Sequence, residues 1–198
     1  NVSVLLSDTD IGTASNPLRS RVDIGTGALL QAEGSLDQPG LLRIQVLNEA
    51  TAIDSARVET VGIALSAAKA KSVIDADTDA EIEIDGATLL NQTGDVDLTV
   101  RTDTALRPSA NLLVASAFAG AALAEATTVN QADNRIVVTD SDIRGVDVNI
   151  FAGRNINRVS NLLDSFANAE TTTVSLLPGF AIGELKASLD NMPVFGNG

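Results

Sequence analysis

Cysteine, histidine, tryptophan and tyrosine are all absent from this sequence. Without cysteine there is no disulfide framework and no thiol nucleophile, and without histidine as well, the usual zinc sites and the Ser-His-Asp arrangements disappear. The missing tryptophan and tyrosine remove the best sugar-stacking rings, together with the buried Trp and the tyrosine corner that mark immunoglobulin-like sandwiches. Positive charge is scarce: 13 Lys and Arg stand against 26 Asp and Glu, a formal net charge of −13. Such a chain repels nucleic acid and anionic membrane surfaces, so neither is an expected partner. Long apolar runs are lacking too. The longest, Leu112 to Ala124, is broken by Ser116 and Gly120 and falls short of the roughly 20 residues a membrane-spanning helix needs. No membrane insertion is expected. No glycine-rich phosphate cradle is present.

What is present is Val, Ile, Leu, Ala, Thr, Asp and Gly, with 44% of residues hydrophobic and 3% aromatic. Disordered acidic chains lack enough apolar surface to offset ordering entropy, and this one does not. It folds or assembles. A cysteine-free chain of this kind suits an extracellular or bacterial cell-surface location. It begins at Asn1 without an initiator Met or a charged-then-apolar leader, and is read as a mature product or a fragment.

Self-comparison reveals a degenerate repeat. Val22-Asp-Ile-Gly-Thr-Gly-Ala-Leu-Leu30 aligns with Ile82-Glu-Ile-Asp-Gly-Ala-Thr-Leu-Leu90 and then with Ile136-Val-Val-Thr-Asp-Ser-Asp-Ile143. Behind each lies a glycine and an alternating segment: Gly40 to Val46, Gly94 to Val100 and Gly145 to Phe151. Val96, Leu98 and Val100 alternate with Asp97 and Thr99, and Ile82 and Ile84 alternate with carboxylates, the pattern of strands with one buried face. Thr93-Gly94, Asp85-Gly86 and Arg144-Gly145 read as corners where positive φ is needed. Each unit then runs into an Ala-rich segment. That from Asn111 to Thr127 has helix propensity, with Ser109 as a candidate N-cap. The threonines that close these runs, Thr127-Thr128 and Thr171 to Thr173, favour strand instead. Both readings stay open.

The expected fold is all-β: a right-handed parallel β-solenoid (β-helix) with roughly 20–30 residues per coil. The whole chain, residues 1–198, is expected to form one domain of three degenerate repeats, about 22–79, 82–134 and 136–191. The alternative is a set of β-sandwich modules.

The run Ile84-Asp85-Gly86-Ala87 through Gly94-Asp95-Val96-Asp97-Leu98-Thr99-Val100, with a weaker copy from Ile136 to Phe151, resembles the repeats of giant bacterial surface proteins. These are the filamentous-haemagglutinin-like and other β-helix adhesins. The likeness runs from about Val22 to Asn161 and is compositional. It implies an extracellular right-handed β-helix used for adhesion or scaffolding, and it brings no catalytic residues. Phe151, Phe166, Phe180 and Phe195, with Pro178-Gly179 and Pro193, set the third unit apart.

Asp75, Asp77 and Asp79 present carboxylates at alternate positions, the oxygen-rich pattern a hard cation such as calcium takes. An EF-hand loop counted from Asp75 would need Gly and Glu where Ala80 and Gly86 stand, so that motif fails, and an acidic solvated edge is the competing reading. Asp8 with Asp10, and Asp140 with Asp142, are similar pairs. Carboxylates with Arg57, Arg101, Arg107, Arg144, Arg154 and Arg158 also suggest a calcium-dependent protein that binds or cleaves surface polysaccharide. Asn1-Val-Ser3 and Asn91-Gln-Thr93 match glycosylation sequons. The favoured expectation is non-catalytic: a structural or adhesive subunit or segment of a cell-surface fibre. A solenoid has two open ends with unpaired backbone groups. Val2, Val4 and Leu6 near one terminus, and Val194 and Phe195 near the other, are expected to carry end-to-end self-association or strand exchange.

Overall fold

Between Leu42 and Gly62 the even-numbered side chains Ile44, Val46, Asn48, Ala52, Asp54, Ala56, Val58 and Thr60 are buried, while nearly all the odd-numbered ones face solvent. Unbroken alternation over 21 residues makes a single strand about 70 Å long. The computed structural model describes residues 1–175 in full and the strand path and pairing of residues 180–197. Its strands are β1 (Val2–Ile11), β2 (Leu18–Ile24), β3 (Leu29–Ala32), β4 (Leu42–Gly62), β5 (Leu65–Asp85), β6 (Thr88–Asn91), β7 (Val96–Ser116), β8 (Ala119–Thr139), β9 (Asp142–Arg144), β10 (Val148–Ala152), β11 (Leu162–Ser165), β12 (Asn168–Ser175) and β13 (Phe180–Asn197). There is no helix among the described residues.

Every strand pairs in parallel with the one a full winding away. Sheet I stacks β1 and β2 on β5, then β8, then β13; sheet II stacks β4 on β7, then β10, β11 and β12; sheet III stacks β3, β6 and β9. The chain visits sheets I, III and II in turn and then starts again, which makes it an all-β parallel solenoid. The repeats legible in the sequence are the neighbours in the stack: Val22 lies beside Ile82 and Ile82 beside Ile136, while Leu42, Val96 and Val148 form another ladder.

One winding takes 54 residues at the Arg43–Asp97 and Arg135–Glu81 contacts, 60 at Arg19–Asp79 and 52 at Asn149–Asp97, and not the expected 20–30. The Ala-rich segments are not separate elements. They are the far halves of the same long strands, so sheets I and II each run 21 residues in β4, β5, β7 and β8 before the chain turns. Pro108 fits inside β7 because the missing N–H lies opposite the gap between β11 and β12, where no ladder bond is required.

The cross-section is a wedge. At its broad end, where sheet III separates the two long sheets, Ile24, Ile44, Ile82, Ile84, Leu89, Leu98 and Ile136 fill the space. At the tip, residues 63–64 and 117–118 carry the chain straight from sheet II to sheet I. There Ala56, Ala70, Ala110, Ala122, Ala124 and Ala126 make up the core with Val58, Leu112 and Val114. Small side chains let the sheets close together, so alanine here serves strand packing and the helix reading of Asn111 to Thr127 is overturned.

Candidate functional site: outer faces and open edges

Strand parity sends the odd-numbered residues of β5 outward, so Lys69, Lys71, Asp75, Asp77, Asp79, Glu81 and Glu83 form one row on sheet I. Same-face neighbours on a strand stand roughly 6.5–7 Å apart, too far for three successive carboxylates to converge on one ion. Among the described residues no group of three acidic side chains is arranged to hold a metal. Asp75, Asp77 and Asp79 are instead part of a charged face shared with the neighbouring windings. Asp10 lies beside Asp75, Arg19 beside Asp79, and Asp133 beside Asp79 on the other side. Arg19 Nε sits 2.8 Å from Asp79 Oδ2, and Arg135 Nε 2.9 Å from Glu81 Oε1. Arg21 contacts Asp23 and Glu83.

Three carboxylates of this face have raised pKa values. Burial raises the pKa of Asp75, helped by Asp10, Asp77 and Asp8; burial and then Asp79 raise that of Asp77. Asp133 is raised mainly by burial and further by Asp79, Glu81 and Asp77, against the opposing pull of Arg135. A carboxyl with a raised folded pKa gives stability that is complete below the unfolded value, about 3.9, and is lost as pH rises through the folded value. Thermal stability is therefore expected to increase on acidification from neutrality toward the raised pKa values. The double variant D75N/D77N should be more stable than the parent at pH 7, by about 0.5–1 kcal/mol since solvent screens these sites, or ~2–4 °C in Tm. Its advantage should vanish near pH 3.5. Melting curves at both pH values check this, and an advantage that persists in acid would refute it.

Across sheet II, Arg57 and Glu59 of β4, Asn111 and Leu113 of β7, and Glu170 and Thr172 of β12 line an open groove spanning three windings. Arg57 Nε donates to Glu59 Oε1 at 3.1 Å. One cation and two carboxylates thus share a surface, with Leu113 as its apolar member. Several other guanidinium groups are engaged. Arg101 pairs with Asp103, Arg107 with Asp164 and Arg144 with Asp142, and Arg154 lies 4.4 Å over the Phe151 ring. Arg158 adopts positive φ in the turn after Asn155, where its N–H donates to the Asn155 carbonyl.

Val2, Val4 and Leu6 are all exposed on the outer face of β1, at the open edge of the first winding. Val2 and Val4 join Ala67, Ala121 and Leu123 in a shallow apolar trough bordered by Lys69. Val194 and Phe195 belong to β13, opposite Arg135 and Ile136; their side chains lie outside the described residues.

Sequence reasoning missed a polar spine inside the wedge. Asp54 is buried and accepts hydrogen bonds from Ser7 Oγ and Ser72 Oγ, both at 2.5 Å. Thr102 Oγ1 donates to Asn134 Oδ1 at 3.1 Å, and Asn130 Nδ2 donates to Thr104 Oγ1 at 2.6 Å. The signal was available, because Asn48 and Asp54 fall on the same parity as Ile44 and Val46. The sequon reading of Asn91 fails on the same ground. Asn91 is fully buried, and its Nδ2 donates to the Gly40 and Asp95 carbonyls at 2.9 and 2.8 Å, so the amide is a corner brace that no glycan can reach. Asn1 Nδ2 donates to the Val61 carbonyl at 2.8 Å.

Comparison with family models, with curated proteins and with solved structures gives no match.

Proposed function

We propose that this protein is a non-catalytic structural or adhesive element of a bacterial cell-surface fibre, placed outside the cell and assembled through the ends of the solenoid. The observation that carries the reading is the continuity of the parallel ladder. The 21-residue strands of β4 and β7, and of β5 and β8, pair along their whole length, and β4 and β1 then leave a long edge of backbone N–H and C=O groups open. Such an edge is a template for another strand. The rest suits a stiff rod: a core sealed by its own windings, outward arginines paired with carboxylates, and a net charge of −13 that favours solubility. The resemblance to haemagglutinin-like adhesins agrees with this role.

The sheet II groove favours a second reading, a surface-glycan site. Arg57 and Asn111 would donate to sugar hydroxyls, and Glu59 and Glu170 would accept from them. Electron microscopy and light scattering of the purified chain test the first reading. Filaments that lengthen with concentration are expected, and a monomer persisting at high concentration would refute it.

A further inference from the structure

We propose that the free edge of β4 takes the β10–β12 edge of a second copy of this chain, in the register that continues the stack. This rests on the fibre reading above and specifies its joint. On sheet II the pairings of β4 with β7, and of β7 with the last winding, define which residues meet when one copy is set on the next. Arg43 then meets Asn149, Glu49 meets Leu162, Thr51 meets Asp164, Ser55 meets Asn168, Arg57 meets Glu170 and Glu59 meets Thr172. No two like charges face each other, and the one pair of charged residues is of opposite sign.

The apolar outward residues match as well. Phe166 follows Ser165 in register and its N–H donates to the Leu106 carbonyl, which sets it over Ile53. Val174 comes over Val61. All four are exposed in the single chain: Ile53 78%, Val61 73%, Phe166 63% and Val174 59%. Cross-strand pairing at the joint would partly cover each of these two pairs. On sheet I the same translation brings the register positions of Phe180, Ile182 and Lys186 over Val2, Val4 and Asp8. The turn at residues 12–17 and the excursion at residues 153–161 interrupt the edge strands, so the joint is carried by the uninterrupted runs on either side. Because the two edges differ, the contact is heterologous and leaves a fresh edge after each addition, which yields a filament.

The chain has no cysteine, so introduced thiols report cleanly. Ser55 and Asn168 lie two windings apart within one chain, about 9–10 Å between Cα atoms, beyond disulfide reach. Across the joint they are adjacent. Oxidation of S55C/N168C should therefore give a ladder of disulfide-linked multimers, while S55C/T172C, about 13 Å out of register, should give little. The charge reversals R57E and E170R should each weaken association about five- to tenfold, and R57E/E170R should restore it. Multimers that cross-link through S55C/T172C instead, or reversals without effect on association, would overturn this register and leave end-to-end assembly standing. A strictly monomeric parent in sedimentation would overturn both.

Discussion

Replacing Gly94 with alanine should lower stability by about 3–5 kcal/mol, among the larger effects a single substitution produces, or ~10–15 °C in Tm. A Cβ at Gly94 would stand 1.9 Å from the Gly40 carbonyl oxygen, one winding below, and 3.2 Å from Asn91 Nδ2. The obstacle is backbone, which no rotamer change removes. Relief requires the first two windings to separate at this corner. That breaks the Asn91 bond to the Gly40 carbonyl and the Leu42 N–H bond to the Asp95 carbonyl, leaving the Gly40 carbonyl without its Asn91 donor and the Leu42 N–H without its acceptor. Gly25 is the matched control. Nothing lies within 4 Å of a Cβ there and its φ is not positive, so G25A should be neutral or stabilising by about 0.4–1 kcal/mol through the unfolded chain. Thermal and urea unfolding of both variants decide it; equal effects would mean that the Gly40–Gly94 approach is not what this glycine serves.

That corner shows how far the sequence can be read. A glycine ahead of each alternating strand marks a corner, but the reason assigned to it holds at one of three positions. Gly86 has φ +60°, whereas Gly94 and Gly145 lack positive φ and are small because backbone passes close by. Local patterns cannot tell these causes apart, since Gly94 is crowded by Gly40 of the neighbouring winding and Gly145 by both the Asp147 carbonyl and Val96 of the winding below. The strand boundaries were hidden for a related reason. Val96 to Val100 declares its inward face with apolar residues, but the same face continues through Thr102, Thr104, Leu106 and Pro108, with a single large apolar residue among them, before Ala110 and Leu112 resume it. Polar residues there look like a loop. They are tolerated because Asn134 and Asn130, reaching from β8, complete their hydrogen bonds. Half a winding therefore seemed a whole one, and the coil length came out too short.

The candidate sites divide along the same line. Alternate spacing is enough to put Asp75, Asp77 and Asp79 on one face of one strand and Val2, Val4 and Leu6 on one face of another, but apolar patterning would turn the latter three inward, whereas they are exposed. Their neighbours depend on stacking: Arg19 and Asp133 flank Asp79 from windings on opposite sides. The sheet II groove depends on it entirely, because Arg57, Asn111 and Glu170 come from three separate windings.

Substituting leucine for Ala110 should cost about 2–3 kcal/mol, near the upper end for overpacking a core, with a fall of ~5–10 °C in Tm. Ala110 is fully buried, stacked between Ala56 and Ala169 and packed in the cluster that includes Ala70 and Ala124. At the narrow tip, sheet II passes to sheet I through residues 117–118, so the two sheets cannot spread to admit a longer side chain without disturbing that connection. The strain would pass along the ladder, since β4 and β12 flank β7 and share its spacing. Leucine has a helix propensity close to that of alanine, so A110L leaves the local helix preference nearly untouched while changing the packing. If small size at this position holds the strand in place, A110L should unfold at lower temperature while its far-UV circular dichroism in the folded state stays that of β-structure. The outward A105L should be within about 0.5 kcal/mol of the parent. Equal melting temperatures for A110L and A105L would show that the alanines do not set the distance between the sheets.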